Sequence, residues 1–484
     1  MLSRERTLST GWNMALVNED FLLHNRTARD LYHQYAEGVP ILDYHCHLPA
    51  QDIAANRRFR NLFEIWLEGD HYKWRAMRAQ GIAERYCTGD AAPYDKFRAW
   101  ASTVPHCVRN PLYHWSHLEL KRYFGIEDVL DAHTAPAIWK RANDLLATDR
   151  LTAQGILDRF QVQALCTTDD PAHDLDAHAQ IAASNLKTRV YPTFRPDGAL
   201  DVHRPEAFHD WVNRLAALAG IEIAKLSDLL EALSKRHEQF HQAGCRLSDH
   251  GLPYCYAEAC SERESAAIFD KSRMRKEVTE GEHRRYASYM MRFFARLDSE
   301  KGWTKQLHLG ALRDVNPHAG KTLGANSGFD SIGDWPQAQP LAGYLHSLDR
   351  DNVLPKIILY NSNPADNYVF ASMAGNFPAE NLRGKVQYGT AWWFLDQKNG
   401  IESQINALSN VSPLANFIGM VTDSRSFMAY PRHEYFRRVL CNLLGREMED
   451  GLIPNDTPMI GEIIRRICFT NAKEYLSLEV PALS

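Results

Sequence analysis

Short apolar runs that end in polar residues recur along this chain, and each is followed by a stretch whose apolar residues have helical spacing. The runs are VPILDYHCHLP, QVQALCTTDD, TRVYPTFRPD, AGCRLSDHG, TKQLHLGALRD, PKIILYNSN, KVQYGTAWWF and NFIGMVTDSR. Such runs are typical of strands buried in a parallel sheet. Eight strands alternating with helices is the number that closes a parallel barrel. The pattern therefore predicts an α/β fold, a (β/α)8 TIM barrel, with no second domain required.

One long segment interrupts this alternation. A helix is predicted around Thr27 to Ala36, before the first run. Residues 51–151 are rich in Trp, Arg, Leu and Glu, have helical spacing and contain no convincing strand, so they are predicted to be a large helical insertion after strand 1. The predicted division is therefore an N-terminal helical segment (1–36), the first barrel strand (37–50), the insertion (51–151), and the remaining barrel with C-terminal helices (152–484).

The composition limits the kinds of partner that the protein can bind. Hydrophobic residues make up 45% of the chain and charged residues 24%, which is the profile of a well-packed globular protein. The formal net charge is -5, with both signs mixed along the chain, so no basic face is available for nucleic acid. A small anionic substrate would need a local cluster of Arg or Lys.

The cysteines and the apolar windows favour a cytoplasmic protein. Nine cysteines are scattered singly, as expected of free thiols in a reducing compartment. The first residues lack the long apolar core of a secretory signal, and no window reaches the apolar length of a membrane span. Met14 is an alternative to Met1 as the natural start. An oligomer of identical chains stays open.

Two histidines close the first run. In DYHCHL, the two-residue period of a strand places His45 and His47 on the same face, where both imidazoles can reach one metal ion. A third ligand from another strand end is needed, and Asp423 fits because barrel closure brings the last strand beside the first. Alternatively, the histidines are unrelated, and Asp423 caps a helix or pairs with Arg425.

Polar residues also end the other runs. In a parallel barrel these strand ends face the active site. The residues are His45, His47, Asp169, Asp170, Arg195, Asp249, His308, Asn361, Asp423 and Arg425. We expect them to converge on one cavity, although Asp249 and His308 could instead satisfy one another as a buried polar pair.

A His-x-His motif on strand one with an Asp on strand eight resembles the skeleton of the amidohydrolase superfamily. Binuclear members of that superfamily add a lysine on strand four, which AGCRLSDHG lacks, and deaminase-like members have a glutamate that is absent after His308. The strings ILDYHCHL, GDHYKWRAMR, CTTDDP, FRPD, QLHLGALRDVN, AWWFLDQKNG and TDSRSF resemble segments of the uronate (glucuronate) isomerase family, in that family's order.

This resemblance implies a function and a set of site residues. The implied activity is an aldose-ketose isomerase that converts D-glucuronate to D-fructuronate, and D-galacturonate to D-tagaturonate, in hexuronate catabolism. The implied metal ligands are His45, His47 and Asp423. The other implied active-site residues are His71, Tyr72, Arg195, Asp249, His308 and Arg425.

The chemistry of that reaction agrees with these residue types. Moving a proton between C2 and C1 through an enediol requires an electrophile and a base together. Arg195 and Arg425 suit bidentate capture of the substrate carboxylate. We hypothesise that one divalent metal, for which zinc is the best candidate, anchors the carboxylate and a hydroxyl. His71 and Tyr72 then donate to sugar oxygens, and Asp423 or a water moves the proton; alternatively, the metal polarises the carbonyl directly.

Other interpretations stay open at this point. His71 and Tyr72 lie in a Trp-rich helical stretch where packing is an ordinary role, and Arg195 could pair with Asp197 at the surface. The main competing function is a mononuclear amidohydrolase that acts on an amide or lactone. A barrel that has lost catalysis and serves as a binding protein is a third class.

Overall fold

Parallel strands form the centre of the protein. The computed structural model describes residues 16–480. Met1 and Met14, the two candidate starts, lie outside this range. The strands are β1 Ile41–Asp43, β2 Val162–Cys166, β3 Arg189–Tyr191, β4 Leu247–Leu252, β5 Thr304–Leu309, β6 Ala311–Leu312, β7 Ser331–Ile332, β8 Lys356–Asn361 and β9 Val386–Tyr388. Of these, β6 and β7 form a separate antiparallel pair. Parallel ladders join β1-β2-β3 and β4-β5-β8-β9, and a parallel bridge between Phe194 and Ser248 links the two sets. Seven of the predicted runs thus contain parallel strands, as the predicted barrel fold requires.

The eighth run was predicted as a strand, and this detail is wrong. Residues 416–425 form no regular strand, although they lie beside β1. The backbone N–H of Asp423 donates to the carbonyl of His45 (3.1 Å), and that of His47 donates to the carbonyl of Ser424 (2.9 Å). Gly419 interrupts the extended geometry with a φ of +75°, and a Cβ there would lie 2.2 Å from the carbonyl oxygen of Ile467. This close approach requires glycine and prevents a regular ladder.

Helices surround the strands. They are α1 Arg26–Leu31, α2 Ala50–Ala54, α3 Leu62–Trp66, α4 His71–Ala79, α5 Pro93–Thr103, α6 Pro111–Phe124, α7 Ala135–Leu146, α8 Ala153–Arg159, α9 Asp176–Ala182, α10 Pro205–Ala219, α11 Leu226–Gln242, α12 Glu262–Arg273, α13 Glu280–Lys301, α14 Pro317–Leu323, α15 Ala338–Arg350, α16 Asn367–Ala374, α17 Lys398–Val411, α18 Pro431–Glu449, α19 Thr457–Arg465 and α20 Asn471–Leu476. Short π-helical stretches, Tyr32–Ala36 and Arg466–Thr470, continue α1 and α19.

The segment between β1 and β2 is entirely helical or irregular, as the insertion was predicted to be. Proline occupies the first turn of α5, α6 and α7, where its missing N–H costs nothing. Trp66 in α3 and Trp100 in α5 are fully buried, and they belong to the same hydrophobic cluster as residues of the barrel, so the insertion packs onto it. The domain boundaries stay a prediction.

The strands bury side chains on both faces. Leu42, Ala164, Leu247 and Ile358 belong to a cluster inside the barrel, whereas neighbouring strand residues such as Ile357 pack against the helices. Alternation of this kind follows from the two-residue period of a strand. Within residues 16–480, no helix is long and apolar enough to cross a membrane.

Candidate active site and metal centre

Three predicted metal ligands meet at the carboxyl end of the barrel. Nε2 of His45 lies 3.1 Å from Oδ1 of Asp423, and Nε2 of His47 lies 2.9 Å from the same oxygen. The strand β1 ends at Asp43, so the histidines follow it rather than belong to it, but they converge as predicted. The donor atoms lie within 4.8 Å of one another and could hold a metal ion. Two imidazoles and a carboxylate are donors that divalent transition metals accept.

Asp423 is held in an unusual conformation. Its φ is +44°, in the left-handed region that residues other than glycine rarely occupy. Its second oxygen, Oδ2, accepts a hydrogen bond of 2.7 Å from Nε1 of Trp392. Burial alone would raise the pKa of Asp423, but hydrogen bonds from His45 and His47 lower it well below its usual value. The carboxylate is therefore ionised and fixed in orientation, as a metal ligand must be.

Asp249 and His308 form a pair beside these donors. Oδ1 of Asp249 lies 2.7 Å from Nδ1 of His308, whose ring stacks on Tyr360 with centroids 4.2 Å apart. Nε2 of His308 is buried without a hydrogen-bond partner among residues 16–480. The pair therefore satisfies itself, as the alternative interpretation allowed, yet leaves one imidazole nitrogen aimed at the site. With His45, these residues form a second group whose atoms could hold a metal ion.

Arg195 links the pair to the cavity. Its Nη1 donates to Oδ2 of Asp249 at 2.8 Å, and its Nε donates to Oδ2 of Asp197 at 3.0 Å. The pairing with Asp197, which the alternative interpretation allowed, thus occurs, but at the wall of the cavity rather than on an outer surface. Asp249 is 0% exposed with both oxygens engaged, so it lies behind Arg195 and His308. A role in positioning these two suits it better than direct contact with a substrate.

His71 and Tyr72 come from the insertion and begin α4. Oδ1 of Asp70 caps this helix by accepting from the backbone N–H groups of Tyr72 and Lys73, both at 3.0 Å. The rings of His71 and Tyr72 stack with centroids 4.5 Å apart. Burial lowers the pKa of His71, and its buried Nε2 has no partner among residues 16–480. Burial and the nearby Asp423 raise the pKa of Tyr72 well above its usual value, so its hydroxyl is a donor.

All of the active-site residues that the resemblance implied, except Asp249, line one cavity of about 690 Å³. Asp169, Asp170 and Asn361 were also expected to converge on it, and this expectation is wrong, since none of the three lines the cavity. Their side chains bond instead to neighbouring residues, namely Thr167 (2.7 Å), Trp211 (2.9 Å) and Asn367 (2.9 Å), respectively.

The wall of this cavity also contains Arg425, which the sequence predicted, and residues that it did not assign to the site. The latter include Arg313, Trp392, Trp393 and Asp330. Arg313 lies near the end of the run TKQLHLGALRD, which was predicted as a strand. The strand β5 ends earlier, at Leu309. Only the loop that follows brings Arg313 to the cavity.

Arg313 and Arg425 line the cavity without a carboxylate at ion-pair distance among the described residues. No ion pair or side-chain hydrogen bond involves either guanidinium within residues 16–480. Arg313 lies over the ring of Trp393, 5.1 Å from its centroid. Burial and then Arg195 lower the pKa of Arg313, while Asp330 and Asp423 oppose this shift. Two guanidinium groups, Arg195 and Arg313, thus lie near one another at the cavity wall.

The site and the barrel define the class: an α/β-barrel protein of the amidohydrolase type with donors for a metal ion. The sequence profile described as glucuronate isomerase matches residues 14–476. The chain therefore belongs to the glucuronate isomerase family.

Individual relatives agree over nearly the whole length. The uronate isomerase of Solibacter usitatus is 58% identical over 467 residues, covering 96% of this chain and 100% of that protein. The uronate isomerase of Opitutus terrae is 56% identical, covering 96% and 98%. Among solved structures, the uronate isomerase of Thermotoga maritima superposes with a TM-score of 0.90 at 35% identity, covering 95% of this chain and 99% of that one. The predicted family and barrel fold are thus confirmed.

Proposed function

We propose that this isomerase interconverts D-glucuronate and D-fructuronate, and D-galacturonate and D-tagaturonate. The proton on C2 moves to C1 through an enediol, while the proton of the C2 hydroxyl passes to the former C1 carbonyl oxygen. One observation carries the proposal: metal donors and unpaired arginines face the same cavity. A uronate needs both, since it combines a carboxylate with a carbonyl that must be polarised.

The residues fit one divalent ion, which we propose to be zinc. His45, His47 and Asp423 would hold it, and their nitrogen and oxygen donors agree with zinc while also admitting manganese or iron. A bound divalent ion supplies Lewis-acid stabilisation of negative charge on substrate oxygens. Nε2 of His45 faces the other donors, 3.1 Å from Oδ1 of Asp423. Its Nδ1 is buried without a partner among residues 16–480.

We assign the capture of the substrate carboxylate to the arginines. Arg195 is already balanced by Asp197 and Asp249, and it offers its remaining N–H groups in a fixed orientation. Arg313 and Arg425 add positive charge at the cavity wall and form no ion pair within residues 16–480. Guanidinium groups suit this role because they bind a carboxylate through two parallel hydrogen bonds.

The remaining groups serve the proton transfers. The hydroxyl of Tyr72 and the neutral imidazole of His71 donate to sugar oxygens near the reacting carbons. We assign the proton between C2 and C1 to Asp423, whose Oδ2 is oriented by Trp392. Positioned acid–base groups of this kind contribute roughly 10²–10⁴-fold to a rate.

The purified protein, loaded with zinc, should be incubated with D-glucuronate or D-galacturonate in ²H₂O and followed by ¹H NMR. The appearance of the keto acid supports the proposal, and deuterium at the transferred position reports exchange through the enediol. A rival hydrolase would leave both uronates unchanged while opening the corresponding lactones. That outcome would contradict the proposed isomerase activity.

We also propose that the protein works in a reducing compartment such as the cytoplasm. All nine cysteines lie within residues 16–480, all are free thiols, and seven are buried. An oligomer of identical chains stays a prediction that sedimentation can test.

A further inference from the structure

A buried ion pair lies on the outer side of the barrel wall. Nζ of Lys305, on β5, is 2.7 Å from Oδ2 of Asp298, on α13, and the side chains are 0% and 1% exposed. The pair lies in the buried layer between strands and helices, together with the polar side chains of Ser248 and His250. Moving two charges out of water is costly, and their attraction offsets that cost only with good geometry. The stability of the fold alone does not call for such a pair.

Every proton of the Lys305 ammonium has a defined acceptor. Besides Asp298, Nζ donates to Oγ of Ser248 at 3.1 Å and lies 3.1 Å from Nε2 of His250. The hydroxyl of Ser248 donates its own proton to Oδ2 of Asp298 at 2.6 Å. Because an ammonium group has three donors and no acceptor, Nε2 of His250 must be the acceptor of this bond.

The tautomer of His250 follows from that bond. Burial and then Lys305 lower the pKa of His250, so its imidazole is neutral and carries its single proton on Nδ1. Nδ1 lies 2.8 Å from Oδ1 of Asp197, to which it donates. The other oxygen of Asp197 accepts from Nε of Arg195 and from the backbone N–H of Gly251, both at 3.0 Å.

We propose that Lys305 is a positioning residue for substrate binding. It fixes the tautomer of His250, His250 orients Asp197, and Asp197 holds the guanidinium of Arg195 towards the cavity. With the proton on Nε2 instead, a nitrogen lone pair would face the Asp197 carboxylate and repel it. The consequence for binding rests on the proposed function, because it requires that Arg195 contacts the uronate.

The tautomer can be measured without any substrate. The full chain labelled with ¹⁵N-histidine is compared by NMR with the Lys305→Met/Asp298→Asn double variant, which removes both charges and leaves neither buried alone. The signal that disappears in His250→Asn identifies His250. We expect the Nδ1–H tautomer in the natural protein and a shift towards Nε2–H in the double variant. An unchanged tautomer in the double variant would overturn the proposal.

Kinetics then test whether the tautomer matters. We expect the double variant to raise the KM for D-glucuronate about tenfold, the usual effect of losing one oriented, charge-assisted hydrogen bond, with kcat less affected. An asparagine at position 250 carries an amide N–H near the place of Nδ1 and needs no lysine to orient it. Adding the double substitution to His250→Asn should therefore change KM little relative to His250→Asn alone. Additive effects would overturn the proposal.

His237→Gln is the matched control. His237 contacts Asp298 from the side opposite Lys305, with Nε2 and Oδ1 3.2 Å apart, so its loss should cost stability but leave KM unchanged. Arg195→Gln separates the two proposals. If it raises KM and the Lys305 double variant does not, the positioning role is wrong. If the tautomer shifts and neither Arg195→Gln nor the Lys305 double variant affects KM, Arg195 does not bind the substrate. The positioning role of Lys305 in substrate binding is then wrong as well.

Discussion

The hydroxyl of Tyr72, whose ring lines the cavity, can be removed without removing the ring. Tyr72→Phe keeps the ring that stacks on His71 and removes only the donor. We expect kcat to fall by roughly 10²-fold, at the lower end of general acid–base effects, with little change in melting temperature. Steady-state NMR kinetics and thermal unfolding check this. A variant with full kcat would show that the hydroxyl does not donate in the reaction.

Gly251 matters because the guanidinium of Arg195 passes directly over it. A Cβ at this position would lie 2.2 Å from Nη2 of Arg195, so Gly251→Ala must displace that group. We expect KM for the uronate to rise about tenfold through the loss of an oriented charged contact. Gly281→Ala is the control, since a Cβ there meets nothing within 4 Å and Gly281 lies within α13. Equal KM values for both variants would contradict the close packing of Arg195.

At the scale of elements, α13 brings His283 against the outer part of the cavity. Its ring lies 4.0 Å from that of His203, and burial, then His203 and Arg204, lower the pKa of His283 from 6.5 to about 4. Between pH 6.5 and about 4 the unfolded chain binds a proton here and the folded chain does not, so stability falls as the pH falls through this window.

Thermal unfolding between pH 7 and pH 4 tests this effect. His283→Asn should show a shallower loss of melting temperature than the natural chain over that range, because the asparagine cannot titrate. Parallel curves for the two proteins would mean that His283 does not contribute to the pH dependence.

The elements also show where the sequence was informative. Seven of the eight runs contain parallel strands because short, buried apolar segments leave a strong pattern. The eighth does not, because Gly419 and the left-handed Asp423 bend the chain, and neither distortion has a pattern of its own. His45, His47 and Asp423 were predictable from spacing and closure. The place of Arg313 at the cavity and the contacts of Lys305 were not predictable, since they depend on which loop or layer a side chain enters.

At the scale of the whole molecule, a metal held between the start and the end of the barrel should stabilise it. His45 and Asp423 are 378 residues apart in sequence. A ligand that binds only the folded chain adds about 2.7 kcal/mol at a hundred times its dissociation constant. We therefore expect chelation to lower the melting temperature and abolish activity, and zinc to restore both.

The control for metal removal is Asp423→Asn, which loses a charged donor. Its melting temperature should respond much less to chelation and to added zinc than that of the natural chain, as metal analysis of the two proteins can verify. If both proteins respond equally, the ion lies elsewhere, and the group formed by His45, Asp249 and His308 becomes the place to look.

The separation of His45 from Asp423 also has a consequence for protein synthesis. A ribosome adding roughly 5–20 residues per second needs on the order of 20–80 seconds to pass from one to the other. For the later part of that time, β1 and the insertion have been synthesised while the partner of the histidines has not. The metal site therefore stays incomplete in the newly made amino-terminal part of the chain. The enzyme gains its activity only when the last part of the barrel has been synthesised and has folded against β1.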